Sequence, residues 1–138
     1  MTGHVTWSDE YSLGYSPIDE QHKQLLNLLD TLYAAEKASE PLANVSDVLF
    51  RLVVFTETHF AYEEMLLELV GFPILRKHSL YHEVMKSKTR EIVQDFRKSH
   101  SFDREEVLIF LLDWWTNHIL EEDMQYRPFL ADHGLLTQ

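Results

Sequence analysis

The stretch RKHSLYHEVM, residues 76–85, sets His78 and His82 four positions apart. That separation puts two side chains on one face of an α-helix, one turn from each other. The same face continues outward as Leu75, Met85, Thr89, Ile92 and Phe96, so the two imidazoles interrupt an apolar stripe instead of decorating a polar side. The register predicts a helix over about 74–98, opening after Pro73 and aiming both histidines at whatever the stripe packs against. Ser79, Leu80 and Tyr81 fill the interval between them, so the glutamate of a zinc-protease HExxH helix is missing.

Three further segments share this periodicity. Pro17, Pro41, Pro73 and Pro128, with Gly14, Gly71 and Gly134, fall at the ends of long periodic runs, where breakers delimit helices. A first helix is predicted over about 17–39, with Ser16 as its cap, Pro17 in its first position, Asp19 at capping-box spacing, and Ile18, His22, Leu25, Leu29 and Leu32 inward. A second, about 42–69, aligns Val45, Val48, Leu52, Thr56, His59, Glu63 and Leu66 and ends at the GFP turn of 71–73. A fourth, about 103–127, opens with a capping box from Asp103 to Glu106 and aligns Leu108, Leu111, Trp115 and His118 before Pro128 disturbs it. Residues 1–16 form an arm whose Trp7, Tyr11 and Tyr15 are expected to pack on the helices. With no strand-like alternation, the fold class is all-α: an antiparallel, up-down-up-down four-helix bundle with an N-terminal arm, one domain over 1–138.

Composition narrows the function. The chain has 138 residues, 45% of them hydrophobic, enough to bury a core. Its net charge of −11 opposes nucleic acid and anionic membrane surfaces. The most apolar stretch, VLIFLLDWW at 107–115, is broken by Asp113, and no basic start precedes an apolar run, so neither membrane insertion nor export is expected and the protein is read as cytoplasmic. Without cysteine, any metal must be held by histidine and carboxylate.

In an up-down-up-down bundle the start of the first helix, the end of the second, the start of the third and the later part of the fourth meet at one end. His22, His59, His78, His82 and His118 lie in those regions, each continuing an apolar stripe. One such histidine is ordinarily a core residue with one hydrogen bond. Five at one level, with Glu63 one turn from His59, are another matter, because burying each without a strong partner costs about 2 to 7 kcal/mol. A metal centre removes that cost. His4, His100 and His133 sit in the arm, a turn and the tail and are read as structural. A mononuclear zinc site would leave donors over. With one carboxylate from HILEED at 118–123, where Glu121, Glu122 and Asp123 compete, the inventory is five imidazoles and two carboxylates, a set that suits iron among other transition metals. For two six-coordinate irons, with both carboxylates and one solvent-derived oxygen bridging, the donors fill eleven of twelve positions, and the one left open suits a small diatomic. Two ferric ions so bound carry a residual charge of about +2, low enough for an apolar core.

The ordered set W-x6-G-x4-D-x2-H (Trp7, Gly14, Asp19, His22), HxxxE (His59, Glu63), HxxxH (His78, His82) and HxxxxD (His118, Asp123) spans almost the whole chain and resembles the hemerythrins in their single-domain bacterial form. The resemblance implies two iron ions cycling between Fe2+ and Fe3+ with an oxo or hydroxo bridge. It implies His78, His82 and His118 on a saturated iron, His22 and His59 on the iron that takes O2, and Glu63 and Asp123 as bridges. It alone chooses Asp123 over Glu122, which has the regular helical spacing. Residues five apart on an ideal helix stand about 140° apart, so a distortion such as a π-bulge is predicted near 119–123. Glu64 and Glu83 read as solvent-facing charges. The implied function is reversible O2 binding for storage, delivery or sensing, with one electron lent by each iron, no O–O cleavage, and no enzyme activity. Ile119, Trp115, Phe55 and Leu26 are candidate walls of a dry O2 pocket. The alternatives are a diiron enzyme reducing peroxide or nitrogen oxides, and an O2- or redox-sensing module of a signalling protein. Met1 and the short polar tail to Gln138 favour a free-standing protein, expected to be a monomer.

Overall fold

The computed structural model describes residues 7–38, 42–98 and 104–136. Among them the architecture is helical throughout, with α1 (Ser16–Lys37), α2 (Leu42–Leu69), α3 (Leu75–Lys98) and α4 (Arg104–Asn117) as the bundle. α1 packs directly against α2 and α4, and α2 against α3. Larger side chains span α3 and α4, where Trp114 Nε1 donates to the Tyr81 hydroxyl at 3.2 Å. Among the described residues no helix is long and apolar enough to cross a membrane.

The periodic stripes set the inward faces. Ile18, Leu25, Leu29 and Leu32 of α1, Val45, Leu52 and Leu66 of α2, Met85 and Ile92 of α3, and Leu108, Leu111 and Trp115 of α4 are buried. α2 also buries Leu49, Phe60 and Leu67, because a helix with a neighbour on each side needs a wider apolar arc than one stripe supplies. Its end at the GFP turn has a positive φ at Gly71. There Phe72 N donates to Leu67 O at 2.9 Å and Gly71 N to Glu68 O at 3.1 Å, the paired bonds of a Schellman cap.

Two expected helix ends differ. Ser16 lies inside α1, whose Asp19 amide bonds to Tyr15 O at 3.0 Å. The Asp19 carboxylate reaches back along the arm, accepting from Leu13 N at 2.8 Å and Ser12 Oγ at 2.6 Å. It ties the arm down. The fourth helix does not run unbroken to 127. α4 passes into a π-turn (His118–Glu122) and a 3-10 turn (Asp123–Tyr126), and α5 (Arg127–Asp132) follows with Pro128 in its first turn, where proline's missing N–H costs nothing. The Asp103–Glu106 cap, the Phe96 side chain and the end of the first helix at 39 lie outside the described residues.

The core divides in two. One apolar cluster fills the body of the bundle from Leu25 and Leu26 to Val93 and Leu108. The other closes one end with Leu13, Ile18, Leu66, Leu67, Val70, Phe72, Tyr126 and Leu130. The arm joins both, with Tyr11 buried in the first and Leu13 fully buried in the second. Gly14 makes that arm possible. Its φ is +75°, and a Cβ there would stand 3.4 Å from Leu136 and 3.5 Å from the Arg127 guanidinium. Gly14→Ala is therefore expected to cost about 1 to 2 kcal/mol, the left-handed penalty for an L-residue, seen as a lower urea midpoint with an unchanged slope.

Candidate metal centre

Between the two apolar clusters lies a polar layer. Along α1 it is His22, between Ile18 and Leu25; along α2, His59 and Glu63; along α3, His78 and His82; along the fourth strand of the bundle, His118 and Asp123. All seven are buried. Their meeting fixes the chain direction, since the start of α1, the end of α2, the start of α3 and the end of α4 can share one level only if successive helices alternate.

The π-turn brings Asp123 in. Its amide bonds to His118 O, the i→i+5 contact of a π-helix, which carries residue 123 round to the face of residue 118. Glu121 is exposed and Glu122 half-buried. Of the three competing carboxylates, only Asp123 enters the layer.

The donors sort into two groups that share their carboxylates: Glu63, His78, His82, His118 and Asp123, and His22, His59, Glu63 and Asp123. Glu63 Oε1 lies 2.9 Å from both His78 Nε2 and His82 Nε2. Asp123 Oδ1 lies 3.2 Å from His78 Nε2 and from His118 Nε2. The other oxygens face the second group, with Glu63 Oε2 3.6 Å from His59 Nε2 and Asp123 Oδ2 3.3 Å from His22 Nε2. Two donors at right angles on bonds of about 2.1 Å stand about 3 Å apart, so these are spacings of atoms that can share an ion.

The atoms also fail to satisfy one another. His22 Nε2, His59 Nε2, His82 Nε2, His118 Nε2 and both Asp123 oxygens are buried without a hydrogen-bond partner, although His82 Nε2 is within 2.9 Å of a carboxylate oxygen. Lone pairs this close that are aimed past each other point at a common third position. Leaving each unmet costs about 1 to 3 kcal/mol, and a cation at each position answers the whole set. The donor set fits a metal.

Electrostatics agree. Burial and the Asp123 charge push the Glu63 carboxyl up, but the close His78 and His82 imidazoles outweigh them and hold it below the ordinary carboxylate range. Burial likewise opposes ionisation of Asp123, and the close approach of His118, with His22 and His78 beside it, carries it well below that range. In return His78, despite burial, is raised to about 10 by Asp123 and Glu63. Two ionised carboxylates in a dry layer demand positive charge, as protons on imidazole or as metal in their place. His59 is different, because burial lowers it to about 4. Its Nδ1–H donates to Gln21 Oε1 at 2.6 Å, which leaves the Nε2 lone pair facing the layer.

Several surrounding residues escaped the sequence reading. Tyr126, fully buried, donates its hydroxyl to Glu63 Oε2 at 2.8 Å. Phe60 stacks on the His82 ring at 3.7 Å between centroids. Glu64, expected to face solvent, accepts from His82 Nδ1 and Ser79 Oγ, both at 2.8 Å. It is corrected to a partner of the cluster, because α3 crosses close enough for its carboxylate to turn inward. Glu83 is exposed and pairs with Lys86 at 2.8 Å. His133 is exposed and donates Nδ1 to Phe129 O. His4 and His100 lie outside the described residues. Of the candidate pocket walls, Trp115, Ile119 and Leu26 are buried in the body core. Phe55 is half-buried, stacked 6.0 Å from His59 beside a groove between α1 and α2 that opens past Gln21 and Val54.

A helical bundle with a buried histidine–carboxylate layer of this kind is a cation-binding fold. The model of the hemerythrin HHE cation binding domain matches residues 13–130, and the chain belongs to the hemerythrin family. It is 30% identical over 129 residues to the bacteriohemerythrin of Stenotrophomonas maltophilia (strain R551-3), covering 94% of this chain and 83% of that one. It is 30% identical over 128 residues to the bacteriohemerythrin of Clostridium acetobutylicum, covering 87% of this chain and 96% of that one. The crystal structure of a wild-type hemerythrin superposes with a TM-score of 0.83 at 21% identity, over 97% of this chain and 98% of that one, a likeness of fold.

Removing the hydroxyl over Glu63 tests the layer's surroundings. Tyr126→Phe is expected to lower metal affinity by about 10- to 100-fold, the usual effect of losing a hydrogen bond to a ligand, read by competition against a chromophoric chelator.

Proposed function

We propose that the layer holds two iron ions and that the protein binds O2 reversibly. The observation that carries this reading is the division of the carboxylates. Each turns one oxygen toward the group of His78, His82 and His118 (Glu63 Oε1 to His78 and His82, Asp123 Oδ1 to His78 and His118) and the other toward the group of His22 and His59. In this reading Glu63 and Asp123 would serve both metals, His78, His82 and His118 would hold one, and His22 and His59 the other, whose missing donor would leave the place for O2. When bound, the iron pair supplies the two electrons that O2 borrows and returns.

The chain's own residues supply the rest. Trp115, Ile119 and Leu26, all buried, line the side toward the body of the bundle and exclude the water that would drive O2 off in reduced form. Phe55 stacks on His59, and both line the open groove between α1 and α2. Tyr126 donates its hydroxyl to Glu63 Oε2 at 2.8 Å, which would orient that carboxylate toward the metal. All seven donors come from one chain, so a monomer suffices. With a net charge of −11, the partner is O2, not nucleic acid or membrane.

The test is metal content and the optical spectrum through anaerobic reduction and cycles of oxygen and argon. Two irons per chain with a charge-transfer band that appears and vanishes on cycling are the expected result. Irons that oxidise once and stay ferric would overturn reversible binding in favour of a redox enzyme or sensor. His59→Ala is expected to drop the chain to about one iron and abolish the reversible band; full iron content and normal O2 binding would sink the ligand assignment.

A further inference from the structure

We infer that Glu64 is a positioning residue that tightens the three-imidazole metal position, while Gln21 leaves the two-imidazole position the weaker of the pair, so that the two fill in order. This rests on the two-metal reading above. The geometry sets like against unlike. Behind His82, Nδ1 donates to Glu64 Oε2 at 2.8 Å. Behind His59, Nδ1 donates to Gln21 Oε1 at 2.6 Å. Both bonds fix the same tautomer, with a proton on Nδ1 and a lone pair on Nε2 directed into the layer. They differ in charge. An anion behind an imidazole raises the basicity of the opposite nitrogen and makes it a stronger donor to a cation; a neutral amide orients the ring without that gain.

Glu64 is built for the role. It is carried by α2, yet both its oxygens are taken by α3, since Ser79 Oγ donates to Oε1 at 2.8 Å. Ser79 lies one turn before His82, so one helix supplies both the ring to be oriented and the clamp on its partner. The Glu64 side chain is 27% exposed, which moderates its field but leaves both hydrogen bonds in place. His22 Nδ1 and His118 Nδ1, one in each group, have no hydrogen-bond partner, so neither offsets the difference between the Glu64 and Gln21 contacts, which adds to the difference in imidazole number.

Cobalt(II) titrated into the metal-free protein without oxygen, followed by its visible bands and by calorimetry, separates the two positions without any O2 chemistry. The wild type is expected to take two ions in two steps. Glu64→Gln should weaken the first step by about 10- to 100-fold and leave the second unchanged, and Gln21→Glu should strengthen the second alone. Ser79→Ala, which releases the clamp on Glu64 but leaves the Glu64 bond to His82, should weaken the first step by less. In the metal-free wild type the His82 Nδ1 proton should resonate far downfield in the NMR spectrum and move upfield in Glu64→Gln, a change that a merely structural role would not produce. A first step unaltered in Glu64→Gln, or both steps weakened alike, would overturn the inference and leave the two-metal reading standing. Fewer than two ions in the wild type would overturn the two-metal reading, and this inference with it.

Discussion

Two carboxylates in a dry layer are what the rest of the molecule is arranged around. Glu63 and Asp123 have no exposed surface, and a buried anion persists only where cations or strong donors meet it. Five imidazoles do so here, from all four long elements of the bundle. The helices must therefore alternate in direction, the arm and the final helical turns must seal the end, and the fourth strand of the bundle must abandon α-geometry where Asp123 is needed.

That last departure shows which force prevails. A π-turn is a rare conformation, and nothing in the local sequence HILEED favours it over continuing α4. It persists because the α-helical alternative would point Asp123 away from His118 and leave the layer one carboxylate short. The same turn hands the chain to Tyr126, whose hydroxyl meets Glu63, and to Arg127, whose Nε bonds to Leu13 O at 3.1 Å. One irregular segment thus supplies a donor, that donor set's hydrogen-bond support, and the fastening of the arm.

What the sequence revealed follows the range of the interactions involved. The positions of His22, His59, His78, His82 and His118 at one level could be read from helical period and alternation alone, because burial repeats with the turn of the helix. Asp123 could not. Period favoured Glu122, and only likeness to known chains pointed one residue further, since a change of hydrogen-bond register leaves no mark in an apolar pattern. Glu64 was misread for a related reason: whether a charge beside a ligand faces water depends on the distance between α2 and α3, a tertiary quantity. That the Asp19 carboxylate fastens the arm, through the Leu13 amide and the Ser12 hydroxyl, depends on where the arm lies, which local spacing does not state. The break after Asn117 was legible only by way of that likeness: the five-residue spacing of His118 and Asp123 demands a distortion near 119–123, and a π-turn lies at His118–Glu122, whereas the apolar positions on either side, Trp115, Ile119 and Leu130, remain those of a continuous helix.

The contact of Arg127 with Leu13 has a consequence for biosynthesis. It joins segments 114 positions apart, and the cluster itself needs donors spread from His22 to Asp123. During translation the first three helices leave the ribosome long before the fourth carboxyl-bearing turn does. Until then they can pair as a partial bundle but present only one of the two carboxylates and an end with no lid. The metal-binding layer is therefore completed late, after nearly all the described chain is free. Loop closure over that distance costs entropy that grows only slowly with length. The delay comes from order of emergence more than from distance, and during it the incomplete cluster stands open to whichever cation the surroundings offer.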